Sequence, residues 1–168
     1  MDPLPQEFQF THPEFAYEAT PNFQPAIKVS VFFRKREGIT DEAFFKHWAT
    51  VHADLAVASQ AFQSHILRYA QHHQTPEMRG YAASLGEKVL DFDACAQLWV
   101  RTWDDWLAFC NSEEYAAALG DDCKRFMELP MTYMVGYENL VVGDTSTVLG
   151  GKDGVSTKAA DISCVSRK

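Results

Sequence analysis

Between Thr40 and Ala58 stand two histidines and a tryptophan, His47, Trp48 and His52, and a second pair of histidines follows at His72 and His73. An imidazole with a pKa near 6.5 gives and takes protons at neutral pH. Two of them, converging from different elements on an aromatic cavity, need neither a nucleophile nor a cofactor to run an elimination, the decarboxylation of a β-keto acid, an enolisation or a cyclisation. Each of these asks for a base, an acid and a dry wall. The spacing favours His52 and His73 as the proton-transfer pair. His52 lies four residues after Trp48, so the two can touch on a helix. On a strand, His73 alternates with Gln71 and Tyr69 along one side. His47 is the supporting imidazole. Phe33, Phe44, Trp48, Tyr69 and Trp99 are the expected aromatic lining, with Gln71 and Asp93 as further polar groups, Asp93 placed to orient an imidazole. No metal is expected: His72 and His73 are adjacent and point to opposite faces of a strand, and His47 and His52 lack the spacing of an HExxH pair. Nor is a cofactor expected, because no GxGxxG or GxxxxGK phosphate loop occurs, and no GxSxG elbow supplies a serine nucleophile.

The elements that must position these groups are legible in the periodicity. Thr40 is a suitable N-cap, and Asp41 and Glu42 sit where the helix dipole favours negative charge, so a helix is predicted from Asp41 to about Ala61. At about 100° per residue, Phe44, Trp48, Val51, Leu55 and Ala58 fall within roughly 80° of arc as an apolar stripe. His47 then lies about 60° to one side of its centre and His52 about 80° to the other. Alternation predicts strands over Ala26–Arg34, His65–His73 and Ala94–Thr102, and a fourth over Met131–Val142. A second helical stretch runs from Trp103 to about Met127, interrupted near Asn111-Ser112 and Gly120. The Thr75–Leu90 connection, with a short helix around Arg79–Leu85, is too long for a hairpin and has the length of a lid. The order β-α-β-β-α-β is a ferredoxin-like α+β arrangement. Helices on one side leave the other sheet face bare, and an apolar bare face calls for a partner. Two sheets closing face to face would form a dimeric α+β barrel.

Lys35, Arg36, Gly38, Ile39, Thr40, Phe44, His47, Trp48, His52 and Leu55 together resemble the signature of EthD-type proteins of the dimeric α+β barrel superfamily. Arg68-Tyr69-x-Gln71-x-His73 resembles the end of that family's second strand. Asp91-Phe92-Asp93-x-x-Ala96-x-Leu98-Trp99 resembles its third, with Ala94 in place of a glycine and Gln97 in place of an acidic residue. The resemblance covers roughly Ile27 to Val142. It implies a homodimer. It also implies a place among fungal polyketide-tailoring dehydratases and decarboxylases of secondary metabolism. The expected activity is therefore a cofactor-independent lyase acting on an aromatic or polyketide-derived small molecule. Two other readings stay open: a cyclase or isomerase, including a pericyclic one, using the same pocket, and a non-catalytic binding or stress-type barrel dimer.

Composition sets the remaining bounds. A chain of 168 residues with 46% hydrophobic and 13% aromatic content is large enough to bury a core. The formal net charge of -8 argues against nucleic acid and gives no attraction to anionic membranes. Cys95, Cys110, Cys123 and Cys164 form no CxxC pair and suit a reducing compartment. MDPLPQEFQF lacks the basic and apolar regions of a secretory signal, and no apolar run approaches the ~20 residues of a membrane span. A cytoplasmic location is expected. Three segments are predicted: a proline- and aromatic-rich arm over residues 1–26, the barrel domain over 27–143, and a flexible tail over 144–168.

Overall fold

A computed structural model describes residues 8–156 of the chain. The outermost parts of the predicted arm and tail, with Cys164, lie outside these residues. The chain divides into two compact units: residues 25–138, and the two flanking segments up to residue 24 and from residue 139.

The larger unit carries a sheet of β1 (Phe23–Phe33), β2 (Arg68–His73), β3 (Ala94–Val100) and β4 (Thr132–Asn139) in the order β2-β3-β1-β4. β3 pairs antiparallel with both β1 and β2. This is the ferredoxin-like order. Strand alternation decides the two faces. Val29, Val31, Leu98 and Val100 are buried together with Phe62, Trp106 and Phe109 under the helices. Cross-strand partners share a face, and the register pairs Lys28 with Trp99 and Phe32 with Cys95 on the opposite side. The predicted second strand began at His65. That residue instead closes a helix, with its Nδ1 2.9 Å from an Asp105 carboxylate oxygen.

Thr40 caps α1 (Asp41–His47), its hydroxyl accepting the Ala43 N–H at 3.2 Å. The helix does not continue with α geometry. Trp48–His52 forms a π turn before α2 (Ala53–Ala58). Ser59 then breaks the helix and caps α3 (Gln60–His65). Glu114 holds this break, accepting from Ser59 Oγ at 2.7 Å and from the Ala61 N–H at 3.0 Å. α4 (Pro76–Ala83), capped by Thr75, occupies the long connection. α5 (Trp103–Cys110) leads through a turn to a second π segment, Tyr115–Gly120, and directly into α6 (Asp121–Phe126). Gly120 therefore continues the helical path where a break was expected.

The π turn has a measurable consequence for packing. One extra residue per turn shifts the buried register by one position beyond it. Phe44 and Trp48 are buried as the α periodicity requires. After the turn the buried residues are His52, Ala56 and Ser59, whereas Val51 is 47% exposed and Ala58 is exposed. The stripe predicted to run through Val51, Leu55 and Ala58 is displaced, and His52 swings from its edge into the interior.

In the smaller unit, Phe10 packs edge-on against Phe8 and Tyr17, with centroids 5.0 and 5.1 Å apart. The Asn22 side-chain amide donates to the carbonyls of Leu140, Lys152 and Asp153, each at 3.0 Å. Val142 and Val155 form a parallel bridge. The glycine-rich segment beyond Gly143 thus carries hydrogen bonds that its composition alone does not suggest.

Candidate active site

The site grows from the two π segments. Along an α-helix His47 and His52, five residues apart, would differ by about 140°. In a π turn, whose hydrogen bonds run from i to i+5, residues five apart come to one side. Both imidazoles consequently reach the same carboxylate. His47 Nε2 lies 2.9 and 3.2 Å from the Asp122 oxygens, and His52 Nδ1 lies 2.9 Å from one of them. Asp122 is 4% exposed and stands on α6 just after the second π segment. Phe126, one turn further along α6, packs on both rings with centroids 4.9 and 5.2 Å away. Asp122 is absent from the sequence-predicted set. Its only local signal is an Asp121-Asp122 pair that reads as the charged start of a surface helix.

A carboxylate only accepts, so His52 donates from Nδ1 and its Nε2 is left as the basic nitrogen. Burial holds the His52 pKa below 6.5; the hydrogen bond and charge of Asp122 raise it in part, and His47 lowers it. His52 is therefore a neutral base at neutral pH. Among the described residues no group of three or more His, Cys, Asp or Glu side chains is arranged to hold a metal ion.

His52 opens onto a cavity of about 60 Å³ between the sheet and the helices. One water needs about 10–15 Å³, so the space takes a small ring or several waters. Phe33, Trp48, Tyr69, Trp106, Tyr115 and Tyr133 supply aromatic wall, and His52 is the only imidazole lining it. Cys123 also reaches the cavity, but burial and the neighbouring Asp122 charge push its thiol up to about 12. It is no thiolate nucleophile at neutral pH.

Four of the predicted lining residues, Phe33, Trp48, His52 and Tyr69, meet at this cavity. Phe44 is fully buried behind it, against Phe33 and Trp48. The expected convergence of His52 and His73 is not built. The Trp48 indole fills the space on that side, and the His73 ring lies against it with centroids 4.4 Å apart and beside Phe45 at 5.3 Å. His73 reaches the cavity only indirectly. Its Nε2 donates to Gln71 Oε1 at 3.2 Å, and Gln71 Nε2 donates to the Tyr69 hydroxyl at 2.9 Å and to the Trp48 carbonyl at 2.8 Å. Burial and the adjacent His72 lower the His73 pKa.

Two predicted site residues lie elsewhere. Trp99 is on the opposite face of the sheet, with Lys28 Nζ 4.9 Å and the Arg68 guanidinium 4.5 Å from its ring. Alternation separates it from Leu98, whose side faces the helices. Asp93 is a structural anchor. Its carboxylate accepts the Lys35 N–H at 2.8 Å and Arg79 Nη2 at 3.0 Å, tying the end of β1 to α4. The orienting carboxylate of the site is Asp122.

The EthD domain family model matches residues 36–130. No curated protein matches the chain. Among solved structures, the chain is similar to a dimeric protein of unknown function and ferredoxin-like fold from Bacteroides fragilis, at 16% identity over 69% of this chain and 99% of that one, TM-score 0.49. It is likewise similar to an EthD family protein from Bacillus halodurans, at 16% identity over 67% of this chain and 98% of that one, TM-score 0.47. A hydroxynitrile lyase from Passiflora edulis is similar at 11% identity over 70% of this chain and 97% of that one, TM-score 0.49.

Proposed function

The chain belongs to the EthD domain family, and from that premise we propose that it is a cofactor-independent lyase, removing water or carbon dioxide from an aromatic or polyketide-derived carbonyl compound. The observation that carries the reading is one neutral imidazole, His52, entering an aromatic cavity with its Nδ1 committed to a buried carboxylate. Such a base takes the acidic proton next to a carbonyl. In a dehydration the α C–H bond breaks to His52 Nε2, the carbonyl oxygen gathers charge, and the C–O bond of the β-hydroxyl breaks. The proton on Nε2 leaves with that hydroxyl as water. In a decarboxylation His52 Nε2 first takes the carboxylic acid proton, the C–C bond breaks, carbon dioxide leaves, and the enolate carbon takes that proton back from Nε2. His47 and Asp122 keep the ring in one tautomer. The low-dielectric wall strengthens every charge interaction formed inside.

Incubating the protein with aryl β-keto acids and aryl β-hydroxy ketones, in buffer without added cofactor, tests this directly. Products lighter by carbon dioxide or by water are expected in the mass spectrum, at rates above those of buffer. Substrates that rearrange without loss of mass would replace the lyase by an isomerase or cyclase.

The second sheet face supports a further part of the proposal. It carries the half-buried Phe32 and, on β4, Met134, which is 69% exposed, while Trp99 on the same face is covered by Lys28 and Arg68. Exposed apolar area of this kind fits a second copy of the same face, closing a homodimeric barrel. Sedimentation at micromolar concentration is expected to show a dimer, and a stable monomer would rule out the barrel.

A further inference from the structure

Two residues that line the cavity, Trp48 and Tyr69, carry hydrogen-bond donors with no acceptor among the described residues. Trp48 is fully buried, and among the described residues its Nε1–H makes no hydrogen bond of good geometry, although it lies beside the Tyr69 oxygen. A buried indole N–H ordinarily finds one, and a buried donor without one is costly. The second donor is Tyr69. Its oxygen is fixed as an acceptor by Gln71 Nε2, and Gln71 is itself locked by the Trp48 carbonyl and by His73. The Tyr69 proton therefore has to point elsewhere, and among the described residues it has no acceptor. Burial keeps this phenol protonated, with the Gln71 and Trp48 N–H groups beside its oxygen opposing that effect only in part. Both residues line the cavity that His52 enters.

We propose that Trp48 Nε1–H and Tyr69 O–H are a paired oxyanion site, which takes the phenolate or enolate oxygen of a ring-bearing ligand. The ligand class follows from the chemistry present: two neutral donors for one anionic oxygen, in an aromatic wall that accepts a ring. The inference rests on the lyase reading only in that the oxygen charged during such a reaction is the one bound here. The His73–Gln71 relay then has a function as well. It holds the Tyr69 oxygen so that its proton faces the ligand.

Binding of 4-nitrophenol to the full-length protein, followed by phenolate absorbance, tests the pair without any turnover. Wild-type protein is expected to bind the phenolate at least tenfold more tightly than 4-nitrotoluene, which keeps the nitro-substituted ring but has a methyl in place of the phenolic oxygen, and to lower the pH at which the bound phenol ionises. Trp48→Phe and Tyr69→Phe each remove one donor and keep a ring. Each is expected to lose at least tenfold in phenolate affinity and to shrink the ionisation shift, with 4-nitrotoluene affinity unchanged. If one variant fails to fold by circular dichroism, the other still decides. Folded variants that bind phenolate as wild type does, or folded wild type with no saturable 4-nitrophenol binding, overturn the proposal. If discrimination holds while no keto or hydroxy substrate is consumed, the donor pair stands and the lyase reading falls. Turnover together with unaffected variants gives the reverse.

Discussion

On the lyase reading, replacing His52 by alanine is expected to lower turnover at least a hundredfold and to leave the fold intact. A positioned general acid or base contributes about 10²–10⁴-fold, and His52 is the only imidazole on the cavity lining. The pH profile identifies the group. Burial outweighs the Asp122 contribution, so the folded His52 pKa lies below 6.5. The base form therefore dominates through neutral pH, and the acid limb of kcat/KM falls below 6.5. The same displacement acts on stability. The unfolded chain binds the proton more readily than the folded one, so stability falls as pH drops from about 6.5 towards the folded value, and the neutral form is favoured above that window. His52→Ala removes this acid-side loss. His73→Ala is a contrasting case, because His73 acts through Gln71 and Tyr69 and stacks on Trp48 outside the cavity; its effect is smaller. A His52→Ala enzyme with near wild-type rates would leave a cavity that works by shape alone.

Asp122→Asn is expected to cost about a hundredfold in kcat and to move the acid limb of kcat/KM further down. The carboxylate accepts from both His47 and His52. An asparagine side chain has one acceptor oxygen and an NH₂ that only donates, so it cannot serve both rings as an acceptor. When the NH₂ faces Nδ1, His52 must carry its proton on Nε2, which removes the base from the cavity; loss of the correct tautomer is the established penalty of this kind of change. Loss of the negative charge also removes the interaction that raises the His52 pKa, leaving burial and His47 to lower it. The shift of the acid limb separates positioning from mere support of the fold. An Asp122→Asn enzyme with reduced melting temperature, unchanged acid limb and unchanged kcat would assign Asp122 to stability alone.

Much of this architecture is carried by local patterns. Alternation in β1 places Val29, Val31 and Phe33 on one side because successive side chains on a strand point oppositely. Thr40 caps α1 because its hydroxyl can reach the Ala43 N–H whatever the rest of the chain does. The presence of two histidines and a tryptophan on one helix, and of Tyr69, Gln71 and His73 along one strand side, follows from spacing alone. So does the ferredoxin-like order of elements, once each strand and helix is read by its own period.

What the tertiary structure decided is where those residues point and what they meet. Alternation shows that Leu98 and Trp99 oppose each other across β3, yet only the packing of Leu98 against the helices puts the tryptophan on the other face, under Lys28 and Arg68. Asp122 lies 70 residues from His52 in sequence, and nothing local to either announces the contact. The π turn at Trp48–His52 is the decisive case. An α period sets His47 and His52 on opposite flanks of the helix and buries Val51. The folded protein instead gains a buried carboxylate bound by both imidazoles, and that interaction exists only when α6 lies against the helix. A turn with one extra residue has no propensity signal of its own, because its stabilisation comes from partners distant in the chain.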